Sequence, residues 1–185
     1  MLVTIASEFG NNIAHGVSEP EPIAYSMAAI RLLHARSCQI TQEIIWLLSG
    51  GFADAAMARW RTLREAMAVA SLIGEHGEDL AERYFAHEVV ETRRAALQYQ
   101  KHCTKLGQEP CSDEEMQHLE SQYAAALSRY GRNFKTQQGW AAEHLKKASP
   151  KIEDIFEAVE LDHLVPTIAW QAIMFTQIQR ACCSS

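Results

Sequence analysis

The sequence is short of basic residues, and this shortage disfavours two classes of binding protein. Its 185 residues include 17 Lys and Arg against 23 Asp and Glu, which gives a formal net charge of -6 at pH 7. Proteins that bind nucleic acid in general, or that sit on anionic membranes, usually carry the opposite sign. We therefore expect no strong general nucleic-acid binding and no membrane association, and any such contact would require a local basic patch.

Cysteine is also scarce, and long apolar runs are missing. The five cysteines form no CxxC pair, and an odd number fits a disulfide framework poorly. The first residues have neither the basic region nor the apolar run of a signal peptide. No stretch approaches the roughly 20 apolar residues of a membrane span. These absences predict a cytoplasmic protein with free thiols.

The usual signatures of cofactor sites and of β-structure are missing too. There is no Gly-rich phosphate loop, no GxSxG and no zinc spacing, so we expect no cofactor. No window shows the β-branched alternation of a strand. What is present is 48% hydrophobic residues in stretches with helical period. The sequence predicts an all-α, single-domain bundle of about five to six helices over residues 22–185, with a central antiparallel helix hairpin and an irregular arm at residues 1–21.

Caps and glycines set the predicted helix boundaries. Gly50 and Gly51 end the first helix, because glycine adopts C-terminal left-handed conformations at little cost. Ser112 and Glu115 form a capping-box pattern that begins a later helix. The predicted helices are Ile23–Leu48, Phe52–Glu75, Glu78 to about Lys105, Ser112 to about Tyr130, two short ones after Trp140 and Pro150, and a last one from Asp162 to Cys182. An apolar stripe is expected on the second: Phe52, Ala56, Leu63, Met67 and Ala70.

Two polar sets on the second and third predicted helices are the candidates for chemistry. Arg61 and Glu65 lie four residues apart, as do Arg83, His87 and Glu91, so each set lines one helix face. In one interpretation Glu65 and His87 transfer protons while Arg61 and Arg83 bind phosphate. Glu91 and Glu43 would then support them. In the other interpretation all of them form structural ion pairs, with Glu65 bonded to Arg61 or Arg83.

Two further kinds of site have weaker patterns. A di-iron bundle needs two Glu-x-x-His pairs, and Glu115/His118 and Glu160/His163 have that spacing, with Glu43 and Glu65 as single carboxylates. Both pairs fall at helix ends, where capping accounts for them, so no metal is expected. RNA-cleaving bundles of the HEPN type carry Arg-x(4–6)-His. The spacings from Arg83 to His87 and from Arg94 to His102 both differ from that pattern.

Four short elements in the middle of the chain form a familiar combination. They are Gly51-Phe52, Arg-Thr-Leu-x-Glu from Arg61 to Glu65, Arg-Tyr-x-x-His from Arg83 to His87, and Gly-Trp-Ala from Gly139 to Ala141. This combination resembles the bacterial family catalogued as domain of unknown function 5677, over roughly residues 25–180. The C-terminal stretch WQAIMFTQIQRACCSS lacks the His of that family's Val-His. The resemblance implies a helical, bacterial, cytoplasmic protein with no assigned reaction.

Two functions follow as expectations, and the question of enzymatic activity stays open between them. The first is a non-catalytic scaffold or interaction module, with a homodimer or another protein as partner. The second is a HEPN-like protein, of the kind found in phage defence, that handles RNA or a small phosphate-bearing ligand through the Arg/Glu/His set. The burial and partners of that set distinguish the two.

Overall fold

Helices make up the regular structure of residues 24–164, the part of the chain that the computed structural model describes. No strand occurs in this range, and the predicted all-α class is confirmed. The α-helices of the described range are α1 (Tyr25–Ser49), α2 (Ala53–His76), α3 (Glu78–Ala86), α4 (Glu88–His102), α5 (Asp113–Tyr130) and α6 (Ile152–Ala158). The predicted N-terminal arm and the last predicted helix beyond Leu164 lie outside the described residues.

The described residues divide into two compact units. The first contains residues 24–75 and 152–164, and therefore α1, nearly all of α2, and α6. The second contains residues 76–151, and therefore α3, α4 and α5 with the 3₁₀ turns around Phe134 and Trp140.

In the first unit, buried apolar residues come from all three helices. They are Ala29 and Ile40 of α1, Ala56, Leu63, Ala68, Val69, Leu72 and Ile73 of α2, and Ile155 and Phe156 of α6. The stripe predicted for α2 is wrong at two positions, because Phe52 and Met67 are exposed. The buried face continues through Ala68 and Leu72 instead, since a step of one residue turns the helix by about 100°.

The turn between α1 and α2 forms at the predicted glycines. Gly51 has φ of +82°, a conformation that side chains rarely adopt. The amide of Phe52 donates to the carbonyl of Leu47 over 2.8 Å and so bonds an otherwise unpaired group at the end of α1. The Glu43 carboxylate forms an ion pair with Arg59 and thereby joins the two helices.

In the second unit, α4 and α5 form an antiparallel pair. Arg93 Nε lies 2.9 Å from both carboxylate oxygens of Glu120. At the other end of the pair, the Gln100 side-chain amide accepts from the Cys111 amide at 2.9 Å and donates to the Cys111 carbonyl at 3.2 Å. The predicted capping box at the start of α5 is confirmed, with Ser112 and Glu115 bonded to each other's backbone amides.

The long third helix of the sequence prediction is interrupted at His87. The structure has α3 ending at Ala86 and α4 beginning at Glu88. The amide of Val90 donates to the His87 carbonyl at 2.9 Å, a tighter i to i+3 bond at this point. The His87 side chain is buried here and contacts a residue 49 positions further along the chain, Thr136. A tertiary contact therefore coincides with the interruption, and no local signal marks it.

In the segment after α5, the backbone of Gly139 packs directly against the backbone of Phe134. Phe134, Trp140 and Ala141 are buried in the second unit, and the Trp140 ring packs edge-on against Tyr84 with centroids 5.2 Å apart. A Cβ added at Gly139 would lie 2.2 Å from the carbonyl oxygen of Phe134. Only glycine fits this approach without movement of the chain.

Candidate functional site

Arg83 of α3 is held between two carboxylates. Its Nε lies 2.9 Å from Asp79 Oδ2, one turn earlier on α3, and its Nη2 lies 2.6 Å from Glu143 Oε2. Its guanidinium also lies over the ring of Tyr130, 5.2 Å from the centroid. The Arg83 side chain is only 12% exposed, whereas both carboxylates are well exposed. One cation with two anions leaves this cluster with a net negative charge.

Two histidines adjoin the same cluster. His144 Nε2 lies 3.4 Å from Asp79 Oδ2, and the His76 and His144 rings meet edge-on at 4.9 Å. Burial, and then the neighbouring His76, lower the pKa of His144, while Asp79 raises it by a smaller amount. Because burial is the largest cause, the neutral imidazole is favoured. The buried Nδ1 of His144 has no hydrogen-bond partner.

His87 sits between α3 and α4 with only 4% of its surface exposed. Its Nε2 lies 2.9 Å from the carbonyl oxygen of Thr136. A carbonyl oxygen only accepts, so Nε2 carries the proton. Its Nδ1 is 3.9 Å from Glu91 Oε1, and its ring packs edge-on against Phe134 at 5.1 Å. Burial lowers the pKa of His87, although the Thr136 carbonyl and Glu91 act in the opposite direction.

Arg61 and Glu65 belong to the first unit, and the structure does not pair them. Arg61 is exposed and Glu65 is half-buried. In the described part of the chain, no ion pair or hydrogen bond joins these two side chains. Glu65 was predicted to bond to Arg61 or to Arg83; the described residues lack the bond to Arg61, and the bond to Arg83 stays a prediction. Packing of α2 against the helices after Gly77 stays a prediction.

The buried arginine of α2 is Arg64, which the sequence reasoning missed. Its Nη1 donates to the carbonyl of Leu164, and its guanidinium lies over the Phe156 ring, 5.2 Å from the centroid. Burial lowers the pKa of Arg64, while the charge of Glu65 raises it by less. The available signal was its position four residues before Ala68 and eight before Leu72, on the buried face.

The carboxylates of Glu43 and Glu91, predicted to support the candidate site, each form an ion pair with a nearby arginine. Glu43 pairs with Arg59, across the turn between α1 and α2. Glu91 accepts from Nη1 of Arg94, with distances of 2.7 and 2.8 Å to its two oxygens. Asp79, Glu143 and His144 are the polar residues around Arg83 that sequence reasoning missed. Asp79 could have been found from the sequence, because it lies four residues before Arg83. Glu143 and His144 are distant in the sequence, so their position beside Arg83 depends on the fold.

In each Glu-x-x-His pair, one side chain is bonded to a residue three positions away. The Glu115 carboxylate accepts from the amide and hydroxyl of Ser112, and these bonds lower the pKa of Glu115. His163 Nδ1 lies 3.1 Å from the carbonyl oxygen of Glu160 in its own turn. Within residues 24–164, no three His, Cys, Asp or Glu side chains are grouped so that they could hold a metal ion. None of the helices in the same range is long and apolar enough to cross a membrane.

Comparison with known proteins identifies a family but no function. The model of the Family of unknown function (DUF5677) matches residues 27–168, which is more than half of the chain. The chain therefore belongs to this family, and the resemblance noted from its sequence elements is confirmed. No curated protein and no solved structure matches it.

Proposed function

We propose that this DUF5677 protein is a non-catalytic helical interaction module whose α1 binds a second copy of the same chain. The observation that carries the proposal is the surface of α1. Trp46 is 78% exposed and Leu32 is 62% exposed, so neither of these large apolar side chains is buried in the core of its own unit. Other large apolar residues on α1 and the turn after it are also exposed, namely Tyr25, Met27, Ile30, Ile45, Leu48 and Phe52. Exposed large apolar side chains in this number on one helix favour an interaction site.

The spacing along α1 favours a second copy as the occupant. Leu32, Gln39 and Trp46 are seven residues apart, or about two turns, so they share one face. If two α1 helices pack antiparallel with the two-fold axis at Gln39, Leu32 of each copy meets Trp46 of the other. A two-fold interface must be complementary to itself in this way. At 25 residues, α1 is about 37 Å long, which is enough for such a contact.

The polar groups on the same face are also complementary under this symmetry. Arg36 Nη1 donates to Gln39 Oε1 at 2.8 Å, and Gln39 Nε2 donates to Glu43 Oε1 at 3.1 Å. In the antiparallel arrangement Arg36 of one copy faces Gln42 of the other, whose side-chain oxygen can accept from the guanidinium. The interface would therefore have apolar ends and a polar, hydrogen-bonded centre.

The contacts of Arg83 and His87 support a non-catalytic role over the alternative in which these two residues handle a nucleotide or RNA. Arg83 already has two carboxylate partners, and the net negative charge of that cluster repels phosphate. His87 is buried and its Nε2 proton is bonded to backbone, whereas a general acid or base must reach its substrate. These contacts support a role in holding the unit together for both residues.

A bacterial, cytoplasmic setting is part of this proposal. The family resemblance supports the bacterial origin. Cys38, Cys103 and Cys111 are free thiols, and free thiols are typical of reducing compartments.

The test is the oligomeric state of two glutamate variants, measured by sedimentation velocity at tens of micromolar. We expect a dimeric wild type. We expect Gln39→Glu to dissociate because it places two carboxylates face to face at the two-fold axis. Gln42→Glu adds the same charge to an exposed position of α1 that faces Arg36 of the second copy, so it should stay dimeric.

A third variant tests the apolar contact. Trp46→Glu should be monomeric and should keep the helical circular-dichroism spectrum of the wild type, because Trp46 contributes little to its own core. Leu106→Glu, a matched change at an exposed residue of the second unit, should remain dimeric. A monomeric wild type, or equal dimerisation of Gln39→Glu and Gln42→Glu, would overturn the proposed interface.

A further inference from the structure

A cleft with basic walls lies between α4 and α5, separate from the Arg83 cluster. Its volume is about 380 Å³, within the range of small-molecule sites. The lining residues are Val90, Arg93, Arg94, Leu97, Gln98 and Lys101 of α4, Tyr123 of α5, and Lys135 of the following turn. Most of the lining comes from one face of α4, at helical spacing.

The cleft has an excess of positive charge in a protein whose net charge is negative. Arg93 is balanced by Glu120, and Arg94 is balanced by Glu91. Lys101 and Lys135 form no ion pair with any residue between 24 and 164. After both acidic neighbours are counted, two ammonium groups remain uncompensated. This is the local basic patch that anion binding requires.

The remaining walls can hold a planar, partly apolar group. The Arg93 guanidinium lies over the Tyr123 ring, 4.3 Å from its centroid, and is fixed there by its two bonds to Glu120. Leu97 is exposed beside this stack, Val90 is buried at the base of the cleft, and Gln98 supplies a side-chain amide. Aromatic rings and guanidinium planes are the surfaces on which nucleobases stack.

From this geometry we propose that the cleft binds a nucleoside monophosphate. The phosphate, with a charge of about -2 near neutral pH, is held in the cleft by the positive charge of Lys101 and Lys135, which both line it. The base lies against the Arg93–Tyr123 stack and Leu97, with the Gln98 amide available to its edge. This site lies in the second unit and is independent of the dimer proposed through α1.

Calorimetric titration of the full chain tests the site with three probes. Adenosine 5′-monophosphate should bind, while adenosine and inorganic phosphate should each bind at least about tenfold more weakly, because each lacks one half of the contacts. Affinity should also fall as sodium chloride is raised.

Variants then locate the site. Lys101→Gln and Lys135→Gln should each weaken nucleotide binding by about tenfold, the usual effect of losing one charge-assisted bond. Both lysines are exposed, so the fold should be retained, and Lys105→Gln, an exposed lysine outside the cleft, is the matched control. Tyr123→Leu should reduce affinity for the nucleotide but leave that for inorganic phosphate unchanged.

Three results would overturn the proposal. One is the absence of nucleotide binding at millimolar concentration. Another is equal affinity in Lys105→Gln and in the two cleft lysine variants. The third is binding of a single-stranded RNA oligomer without binding of the mononucleotide, which would identify a nucleic-acid surface instead.

Discussion

Replacing Gly139 by alanine tests how tightly the second unit is packed. The added Cβ would lie 2.2 Å from the Phe134 carbonyl oxygen and 2.7 Å from the Asn133 carbonyl oxygen. Both are backbone atoms, so no side-chain rotation relieves the contact, and the segments that carry buried Phe134 and Trp140 must separate. Overpacking costs about 1–3 kcal/mol, and we expect a value near the upper end, about 3 kcal/mol, from a total of typically about 5–15.

The assay is a thermal melt followed by circular dichroism, with Gly74→Ala as control. For a chain of this size, about 1 kcal/mol corresponds to about 2–4 °C, so Gly139→Ala should melt about 6–12 °C lower. Gly74 lies in α2 with open space within 4 Å of the place where a methyl group would be added, and alanine is the better helix former. Gly74→Ala should therefore melt at or slightly above wild type. A Gly139→Ala variant that melts like wild type would refute the close packing.

Two other predictions concern the polar residues. Because burial holds the pKa of His87 below its ordinary 6.5, the unfolded chain binds more protons, so stability is complete above pH 6.5 and is lost as the pH falls. Melting temperatures measured from pH 7.5 to 5.5 should fall less in His87→Gln than in wild type, and parallel curves would contradict this. Arg83→Met removes the arginine partner of Asp79 and Glu143, which are both exposed to water, so it should cost only about 1–2 kcal/mol in urea unfolding. Loss of the fold in this variant would show that the Arg83 cluster contributes more than this to the free energy of unfolding.

The parts of the fold that sequence predicted well depend on neighbouring residues. The start of α5 follows from Ser112 and Glu115, three residues apart, and the end of α1 follows from Gly50 and Gly51. The interruption at His87 was not predictable in this way, because the Thr136 carbonyl that holds the side chain is 49 residues away. Local capping signals are readable from the sequence, whereas such a tertiary contact requires the fold.

Only some of the contacts around the candidate residues follow from helical spacing. Arg83 and His87 were singled out from the sequence as candidates, but the second carboxylate beside Arg83 comes from Glu143, distant in the sequence. On α2 the sequence prediction chose an arginine on the wrong side of the helix. Arg61 and Arg64 are separated by less than one turn, and the exposed one was selected in place of the buried one.

The two hydrogen bonds between Gln100 and Cys111 have a consequence for the chemical ageing of the protein. A neutral amide makes both contacts, one as donor and one as acceptor, so this joint of α4 and α5 does not respond to salt or to pH. Deamidation of Gln100 would replace the donor nitrogen by an oxygen that faces the Cys111 carbonyl oxygen. Two hydrogen-bond acceptors would then face each other and repel. The contact between α4 and α5 at this end, which tolerates changes of solvent, would be lost through slow hydrolysis of one side chain.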